Sequence, residues 1–199
     1  MNISLKQNIY NLSFQKKLVA KAKILKEGKP SPVQIYHIDK NEDMNALEDA
    51  LYQKHWDGNF YRPNIIAFCP EIEGAMEYEL YTLESNQKTL GCTIIKKNPN
   101  NIQVDFLETA PLYSSYSSNR NGKYIGETLL TFLATLAQKE GKDLTINEVA
   151  DREKTKVFYY TICGFKNIGK CTAKLPYNRL GNLISQNERH TGKQIEIIG

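Results

Sequence analysis

The chain has 199 residues, of which 41% are hydrophobic and 24% are charged, and its mean hydropathy is −0.50. These values are typical of a globular protein and exclude a disordered chain, and no apolar run approaches the ~18 residues that a membrane-spanning helix needs. The formal net charge is +4, and a Lys-rich N-terminal segment carries much of the excess, which indicates either a solvated face or a surface for RNA or another anionic partner.

The Lys-rich N-terminal segment has apolar residues at roughly helical spacing. They predict a helix over 4–27, and the apolar residues are Leu5, Ile9, Leu12, Leu18, Ala22 and Leu25. Gly-Lys-Pro-Ser-Pro at 28–32 then predicts a break. We therefore expect a basic helical extension over residues 1–30 and one domain over residues 31–199. That domain is predicted to begin with a short strand from Val33, followed by a helix from about residue 43 to 55.

The pattern from residue 78 to 109 indicates an antiparallel meander of three strands. The predicted strands cover 78–83, 89–96 and 102–109, and turn-forming residues lie between them. In the third strand Ile102, Val104 and Phe106 alternate with other residues, so we expect them to share one buried face.

The next segment has the pattern of a parallel crossover. A polar loop after Pro111 leads into an amphipathic helix over 126–140, which Gly141 ends. A strand over 144–149 and a second helix over 152–162 follow, whereas the pattern after residue 166 is weak. This order predicts a mixed α/β domain in which an antiparallel part leads into a parallel strand.

The cysteines and histidines indicate neither a disulfide framework nor a metal site. The four cysteines contain no CxxC pair, and the three histidines do not have metal-ligand spacing. The N-terminal segment also lacks an apolar stretch followed by a cleavage site. We therefore expect a cytoplasmic protein with reduced thiols and no metal.

Two motifs indicate where the chemistry lies. The first is Asn-Gly-Lys-Tyr-Ile-Gly at 121–126, a turn that opens an apolar helix. Unpaired N–H groups and the helix dipole at such a turn favour a pyrophosphate, Gly122 and Gly126 permit its close approach, and Lys123 adds positive charge. The second motif is Phe-Tyr-Tyr-Thr-Ile-Cys-Gly-Phe at 158–165.

Together these motifs resemble those of the GNAT superfamily of acyl-CoA N-acyltransferases, over about residues 32–168. The family pattern is Arg/Gln-x-x-Gly-x-Gly/Ala before a Leu-rich helix, and later Phe-Tyr-x-x-x-Gly-Phe. Here Asn121 stands at the family's Arg or Gln, beside Arg120, and Tyr124 stands at its first glycine. The resemblance implies an α/β fold with a mostly antiparallel sheet flanked by helices. It also implies that acetyl-CoA binds where the family's fourth and fifth strands run parallel and splay apart.

The resemblance also implies roles for individual residues. The acceptor amine attacks the thioester directly, so no cysteine nucleophile is needed. Tyr160 stands at the position of the proton donor to the departing thiolate, Tyr159 is the reserve, and Glu108 and Asp105 are the candidate bases. The residues expected to bind acetyl-CoA are Leu107, Thr109, Arg120, Asn121, Gly122, Lys123, Tyr124, Ile125, Gly126 and Glu127. The residues expected on the acceptor side are Tyr52, His55, Trp56, Tyr61 and the loop 113–116.

The sequence leaves the acceptor open. It is either a small amine, such as a polyamine, an aminoglycoside or an amino acid, or an amine on a macromolecule, such as a protein or an aminoacyl-tRNA. A third hypothesis is a non-catalytic acyl-CoA sensor or interaction module, because the first motif departs from the family pattern. A homodimer is left open, and no membrane partner is expected.

Overall fold

The computed structural model of the chain describes residues 16–38, 78–110, 122–150 and 152–198. The helix predicted over 43–55, the acceptor-side residues, Arg120 and Asn121 lie outside the described residues. The strands are β1 (Lys16–Lys26), β2 (Lys29–Ile38), β3 (Tyr78–Ser85), β4 (Lys88–Lys97), β5 (Asn101–Thr109), β6 (Gly122–Lys123), β7 (Asp143–Ile146), β8 (Lys166–Asn167), β9 (Ala173–Leu175) and β10 (Glu196–Ile197). The helices are α1 (Ile125–Lys139), α2 (Glu153–Lys156), which continues as a π-helix over Val157–Ile162, and α3 (Leu180–Thr191), preceded by a 3-10 turn at Tyr177–Arg179.

These strands form one sheet with the order β10-β1-β2-β3-β4-β5-β7-β9-β8, and β6 also pairs with β1. Neighbouring strands are antiparallel except for β5 and β7, which are parallel. The predicted meander and parallel crossover are therefore confirmed. None of the helices in the described parts of the chain has the length and apolar character that crossing a bilayer requires.

The prediction of a helix over 4–27 is wrong where the structure describes it, because Lys16–Lys26 form strand β1. Ala20, Ala22 and Ile24 alternate with lysines and are buried, which is the two-residue period of a strand. β1 pairs with β2 through a two-residue turn in which Glu27 has a φ of 51° and Gly28 a φ of 76°. Positive φ at both turn residues matches the twist of a hairpin. Gly28 is therefore part of a hairpin turn within the sheet, and the lysines between Lys16 and Lys26 lie on a strand rather than on a helix.

Helix α1 packs on one face of the sheet and builds the main core there. Leu129, Leu130, Phe132 and Leu133 are all 0% exposed. Residues from β1, β2, β5 and β7 join this cluster, which includes Ile35, Ile102, Val104 and Leu144. We call this side of the sheet the helix face, and the other side the opposite face. The strong apolar period of α1, predicted over 126–140 and observed over Ile125–Lys139, is the reason that its position was predictable.

Helix α3 was not predicted from the sequence, because the pattern after residue 166 is weak. Its buried residues Leu180, Leu183, Ile184, Asn187 and Thr191 recur at helical spacing. Two of the five are polar, which weakens an apolar pattern. α3 packs against α1 on the helix face, so it reaches the part of the chain that contains the first motif.

Candidate functional site

Strands β5 and β7 stop pairing halfway along β5. They pair in parallel from Asn101 opposite Asp143 to Val104 opposite Ile146, and the Asn147 N–H donates to the Val104 carbonyl at 3.0 Å. Beyond Val104, β5 continues to Thr109 without further pairing to β7. On its other side β5 stays paired with β4 as far as Gly91 opposite Thr109. The backbone groups of the second half of β5 that point away from β4 are therefore not paired with β7.

A β-bulge at Asp105 changes which side chains of β5 face α1. Ile94 pairs with Phe106 and Ile95 with Val104, so the register shifts by one residue between them. The expectation that Phe106 shares a face with Ile102 and Val104 is therefore wrong. Beyond the bulge, Phe106 and Glu108 lie on the opposite face, and Leu107 and Thr109 lie on the helix face with Val104.

The first motif forms a strained turn at the start of α1. Tyr124 is the N-cap residue and has a φ of 69° and a ψ of 17°, in the left-handed region. A residue with a β-carbon adopts this conformation at a cost of about 1–3 kcal/mol, whereas glycine, which the family has here, adopts it freely. The Thr128 N–H donates to the Tyr124 carbonyl at 2.7 Å, and no side chain caps the helix. The first-turn amides, which include those of Ile125 and Gly126, therefore have no partner within the helix.

Gly126 brings the two motifs together. A β-carbon placed on Gly126 would lie 3.6 Å from Leu107 Cδ2, 3.6 Å from Phe158 Cζ and 3.7 Å from Thr109 Cγ2. Phe158 belongs to the second motif, and Leu107 and Thr109 belong to the half of β5 that lies beyond its pairing with β7. Three segments that are far apart in sequence therefore meet at one point beside the splayed strands.

The second motif lies mostly in a π-helix, a form that is frequent at functional sites. The Cys163 N–H donates to the Phe158 carbonyl, five residues earlier, at 2.9 Å. Tyr159 is 8% exposed and contacts the rings of Phe158 and Phe165 edge-on. Tyr160 is only partly buried and packs at the margin of the core.

Burial controls the ionisation of two groups beside this motif. It raises the pKa of the Tyr159 phenol, and repulsion between the ionised forms of Tyr159 and Cys163 adds to the increase. Burial also raises the pKa of the Cys163 thiol, and the charge of Glu127 contributes. Cys163 is therefore a neutral thiol at pH 7, which does not suit a nucleophile.

The two candidate bases have different surroundings. Glu108 is 8% exposed and lies on the opposite face next to Cys92, its cross-strand neighbour on β4. Asp105 Oδ1 accepts a hydrogen bond from Gln103 Nε2 at 2.7 Å. Its Oδ2 atom is buried and has no hydrogen-bond partner among the described residues. The bulge therefore places one carboxylate on the opposite face and the other at the point where the strands separate.

A contact between the first motif and α3 was not predicted. Glu127 is 2% exposed, and its Oε1 atom lies 2.8 Å from His190 Nδ1 and 3.3 Å from Asn187 Nδ2. The His190 ring also stacks on the Tyr124 ring, with 4.4 Å between centroids and 15° between planes. The Glu127 side chain is therefore directed at α3. The helical period over residues 180–191 could have predicted α3 itself, but not its contact with the first motif.

The other predicted residues of the first motif take different positions. Gly122 is buried and Lys123 is exposed, and both pair with the end of β1 as strand β6. Ile125 is buried in the core under α1. No group of three His, Cys, Asp or Glu side chains that could hold a metal occurs in the ranges that the structure covers.

Solved structures share this architecture. The ribosomal-protein-S18-alanine N-acetyltransferase from Escherichia coli aligns with a TM-score of 0.52 over 73% of this chain and 94% of its own, at 16% identity. A GNAT-family protein from Desulfovibrio desulfuricans aligns with a TM-score of 0.51 over 72% of this chain and 99% of its own, at 14% identity. No protein-family model and no curated protein matches the sequence. The chain therefore has the fold of the GNAT acetyltransferases, as its two motifs predicted.

Proposed function

We propose that this protein is an N-acetyltransferase that transfers the acetyl group of acetyl-CoA directly to a primary amine. The observation that carries the proposal is the meeting of Gly126, Phe158 and the Leu107–Thr109 stretch beside the splayed strands. A helix start without a side-chain cap, a strand that β7 does not accompany beyond Val104 and an aromatic motif together suit the binding of a long, phosphorylated thioester.

The phosphate end of acetyl-CoA belongs at the start of α1. The amides of Ile125, Gly126 and Glu127 are the first three of the helix, and together with the helix dipole they favour an anion. Lys123 is exposed at the adjacent β6 and adds a positive charge. Arg120 and Asn121, which the family resemblance implicates, precede this turn in sequence.

The thioester arm belongs along the second half of β5. An extended amide-containing chain can pair with an exposed strand edge as an added strand does. The edge from Asp105 to Thr109 offers such groups, because β7 no longer pairs with it there. An amide of this stretch, near Leu107, is the group proposed to polarise the thioester carbonyl.

The chemistry needs proton transfers at two atoms, the amine nitrogen and the thioester sulfur. Acetyl-CoA supplies the acetyl thioester as acyl donor. An amine that is protonated at pH 7 first loses one proton so that it can attack, its nitrogen loses a second as the C–N bond forms, and the sulfur gains one as the C–S bond breaks. We propose Glu108 as the proton acceptor because it lies on the face opposite α1, away from the start of α1 where the phosphates are proposed to bind. Asp105 is the alternative. Tyr160 is our first choice as the donor because Tyr159 is enclosed by Phe158 and Phe165.

One observation favours a second candidate function, a non-catalytic acyl-CoA sensor. Tyr124 holds a left-handed conformation where the family has glycine, and its side chain lies against α3. A phosphate-binding turn altered in this way could bind an acyl-CoA without supporting transfer of its acyl group.

The experiment measures binding and turnover separately. A ligand that binds the folded protein alone at ~100 times its Kd raises stability by ~2.7 kcal/mol, so acetyl-CoA should raise the melting temperature. Thiol release is then measured with polyamines, aminoglycosides, amino acids, lysine peptides and aminoacyl-tRNA, with the same reactions lacking the protein as the background. Thiol release above this background supports the acetyltransferase. Stabilisation without release from any amine favours the sensor, and no stabilisation overturns both.

A further inference from the structure

We infer that helix α3 positions the phosphate seat at the start of α1, and that His190 is the positioning residue. The inference rests on the proposed function, because the seat is where acetyl-CoA phosphates would bind. His190 is not assigned a contact with the reacting atoms. It acts through Tyr124 and Glu127, the two residues on either side of Ile125 and Gly126.

His190 holds the seat at two points. Its ring stacks on Tyr124, the residue whose left-handed backbone turns the chain into α1. Its Nδ1 atom lies 2.8 Å from Glu127 Oε1, and since a carboxylate only accepts, this nitrogen carries the donated proton. The amides of Ile125 and Gly126 lie between these two contacts. Fixing both neighbours fixes the direction in which those amides point.

The same turn of α3 is joined to α1 by further polar contacts. Asn187 Nδ2 lies 3.3 Å from Glu127 Oε1 and 3.3 Å from Thr128 Oγ1. Thr191 Oγ1 donates to the Asn187 carbonyl at 2.8 Å, which holds the last turn of α3 together. Thr128 Oγ1 also reaches the Lys23 carbonyl on β1 at 3.4 Å. The end of α3 is therefore a rigid support for the first turn of α1.

These contacts are separate from those that fold α3 onto the core. Leu180, Leu183 and Ile184 are buried in the hydrophobic cluster, about two to three turns before His190. His190 itself is 34% exposed on its side chain. Its loss should therefore leave α3 in place while the conformation of Tyr124 becomes less restricted.

The left-handed conformation of Tyr124 explains why such a support is needed here. A tyrosine left alone prefers other backbone conformations, so a ring partner that binds it only in this one shifts the population toward the functional turn. A glycine needs no such support. The effect of His190 should therefore depend on Tyr124 having a side chain.

The experiment compares two acyl donors in wild-type protein, His190→Ala and the matched control Arg189→Ala, an exposed neighbour in the same turn. The donors are acetyl-CoA and S-acetylpantetheine, which lacks the nucleotide and its phosphates. We expect His190→Ala to raise the KM for acetyl-CoA about tenfold, which is ~1.4 kcal/mol of binding, with kcat within twofold. The KM for S-acetylpantetheine should stay within twofold. Equal increases for both donors, or no increase for acetyl-CoA, would overturn the inference.

Three further variants separate positioning from folding. His190→Phe keeps a ring for the stack, and His190→Gln keeps a donor for Glu127. Each should raise the KM for acetyl-CoA by less than His190→Ala, and they carry the test if His190→Ala fails to fold. In a Tyr124→Gly background, His190→Ala should raise this KM at most threefold. A full tenfold increase in that background would contradict the role assigned to Tyr124.

The failure of this inference can be told apart from the failure of the proposed function. If acetyl-CoA neither stabilises wild-type protein nor supports thiol release, the proposed function fails and this inference with it. If acetyl-CoA binds to wild-type protein and to His190→Ala equally well, only the positioning role fails.

Discussion

Gly91 offers a stringent test of how closely β4, β5 and α1 are packed at the candidate site. A β-carbon placed on Gly91 would lie 3.0 Å from the Glu108 carbonyl oxygen, 3.0 Å from Ile125 Cγ2 and 3.0 Å from Leu129 Cδ1. The Glu108 oxygen is a backbone atom in the strand that carries the candidate base. It cannot move away easily, because β4 and β5 pair from Gly91 opposite Thr109 onwards. Gly91→Ala therefore forces α1 and β5 apart.

The size of the effect follows from two opposing terms. Overpacking a closely packed core costs about 1–3 kcal/mol. Replacing glycine by alanine in a strand recovers about 0.5–1 kcal/mol of backbone entropy. The difference between these terms ranges from about 0 to 2.5 kcal/mol. Since all three contacts are at 3.0 Å and one is with a backbone atom, we expect the upper part of this range, about 1–2.5 kcal/mol, which for a chain of this size lowers the melting temperature by ~2–10 °C.

The assay is thermal unfolding of Gly91→Ala beside Gly126→Ala as the matched control. At Gly126 the nearest atoms would be at 3.6 Å, an ordinary contact, so alanine should raise the melting temperature or leave it unchanged. A Gly91→Ala melting temperature at or above that of the wild type would refute the packing argument. So would an equal decrease in both variants.

Three further predictions address the chemistry and the sheet. Tyr160→Phe should lower kcat for thiol release ~100-fold with the Kd for acetyl-CoA within twofold, because only the hydroxyl group is lost; an unchanged kcat would exclude Tyr160 as the donor. Glu108→Gln should lower kcat/KM ~100-fold at pH 7 and much less at alkaline pH, where the amine has already lost its proton; a loss of equal size across the pH profile would contradict a role as base. Asp143→Asn should lower the free energy of unfolding at pH 7 by about 0.5–1 kcal/mol. Burial alone would raise the pKa of the Asp143 carboxyl, but hydrogen bonds from Lys174 Nζ and the Tyr177 N–H outweigh it and hold the pKa below its usual value. The stabilisation by the Asp143 carboxylate is therefore complete above its usual pKa and disappears as the pH falls through its lowered, folded-state pKa. Urea unfolding should then give equal free energies of unfolding for wild type and Asp143→Asn below that lowered pKa. A difference between them that stays constant down to that pH would contradict the role.

The sequence predicted those elements in which one periodicity dominates. Strands β3 to β5 are rich in apolar residues and are separated by turn-forming residues, and α1 has an apolar stripe ended by Gly141, whose φ is 68°. In each case the local pattern and the tertiary environment favour the same structure. The two motifs also indicated the splayed strands, because their spacing in the chain matches a fold already known.

Strand β1 was misread because two periodicities coincide in it. Leu18, Ala22 and Leu25 fit a helix, whereas Ala20, Ala22 and Ile24 fit a strand. Lysine side chains tolerate either structure at the surface, so composition does not decide between them. Pairing with β2 decides it, and that pairing is a tertiary property.

The details of the candidate site depend on single residues whose effect is not periodic. The bulge at Asp105 moves Phe106 to the opposite face, and no residue type in the strand marks its position. The left-handed turn at Tyr124 breaks the usual preference for glycine, and its ring partner lies 66 positions further along the chain. Only the folded arrangement shows that His190 and Tyr124 meet.

The π-helix at Val157–Ile162 also affects how this chain should be aligned with other sequences. Its hydrogen bonds span five residues instead of four, so it accommodates one residue more than the equivalent α-helical turn. Where a homologue has a regular helix, a gapless alignment would shift every assignment on one side of this turn by one position. The choice between Tyr159 and Tyr160 depends on such a shift. Alignments used to transfer roles to this chain should therefore permit a one-residue gap within 157–162.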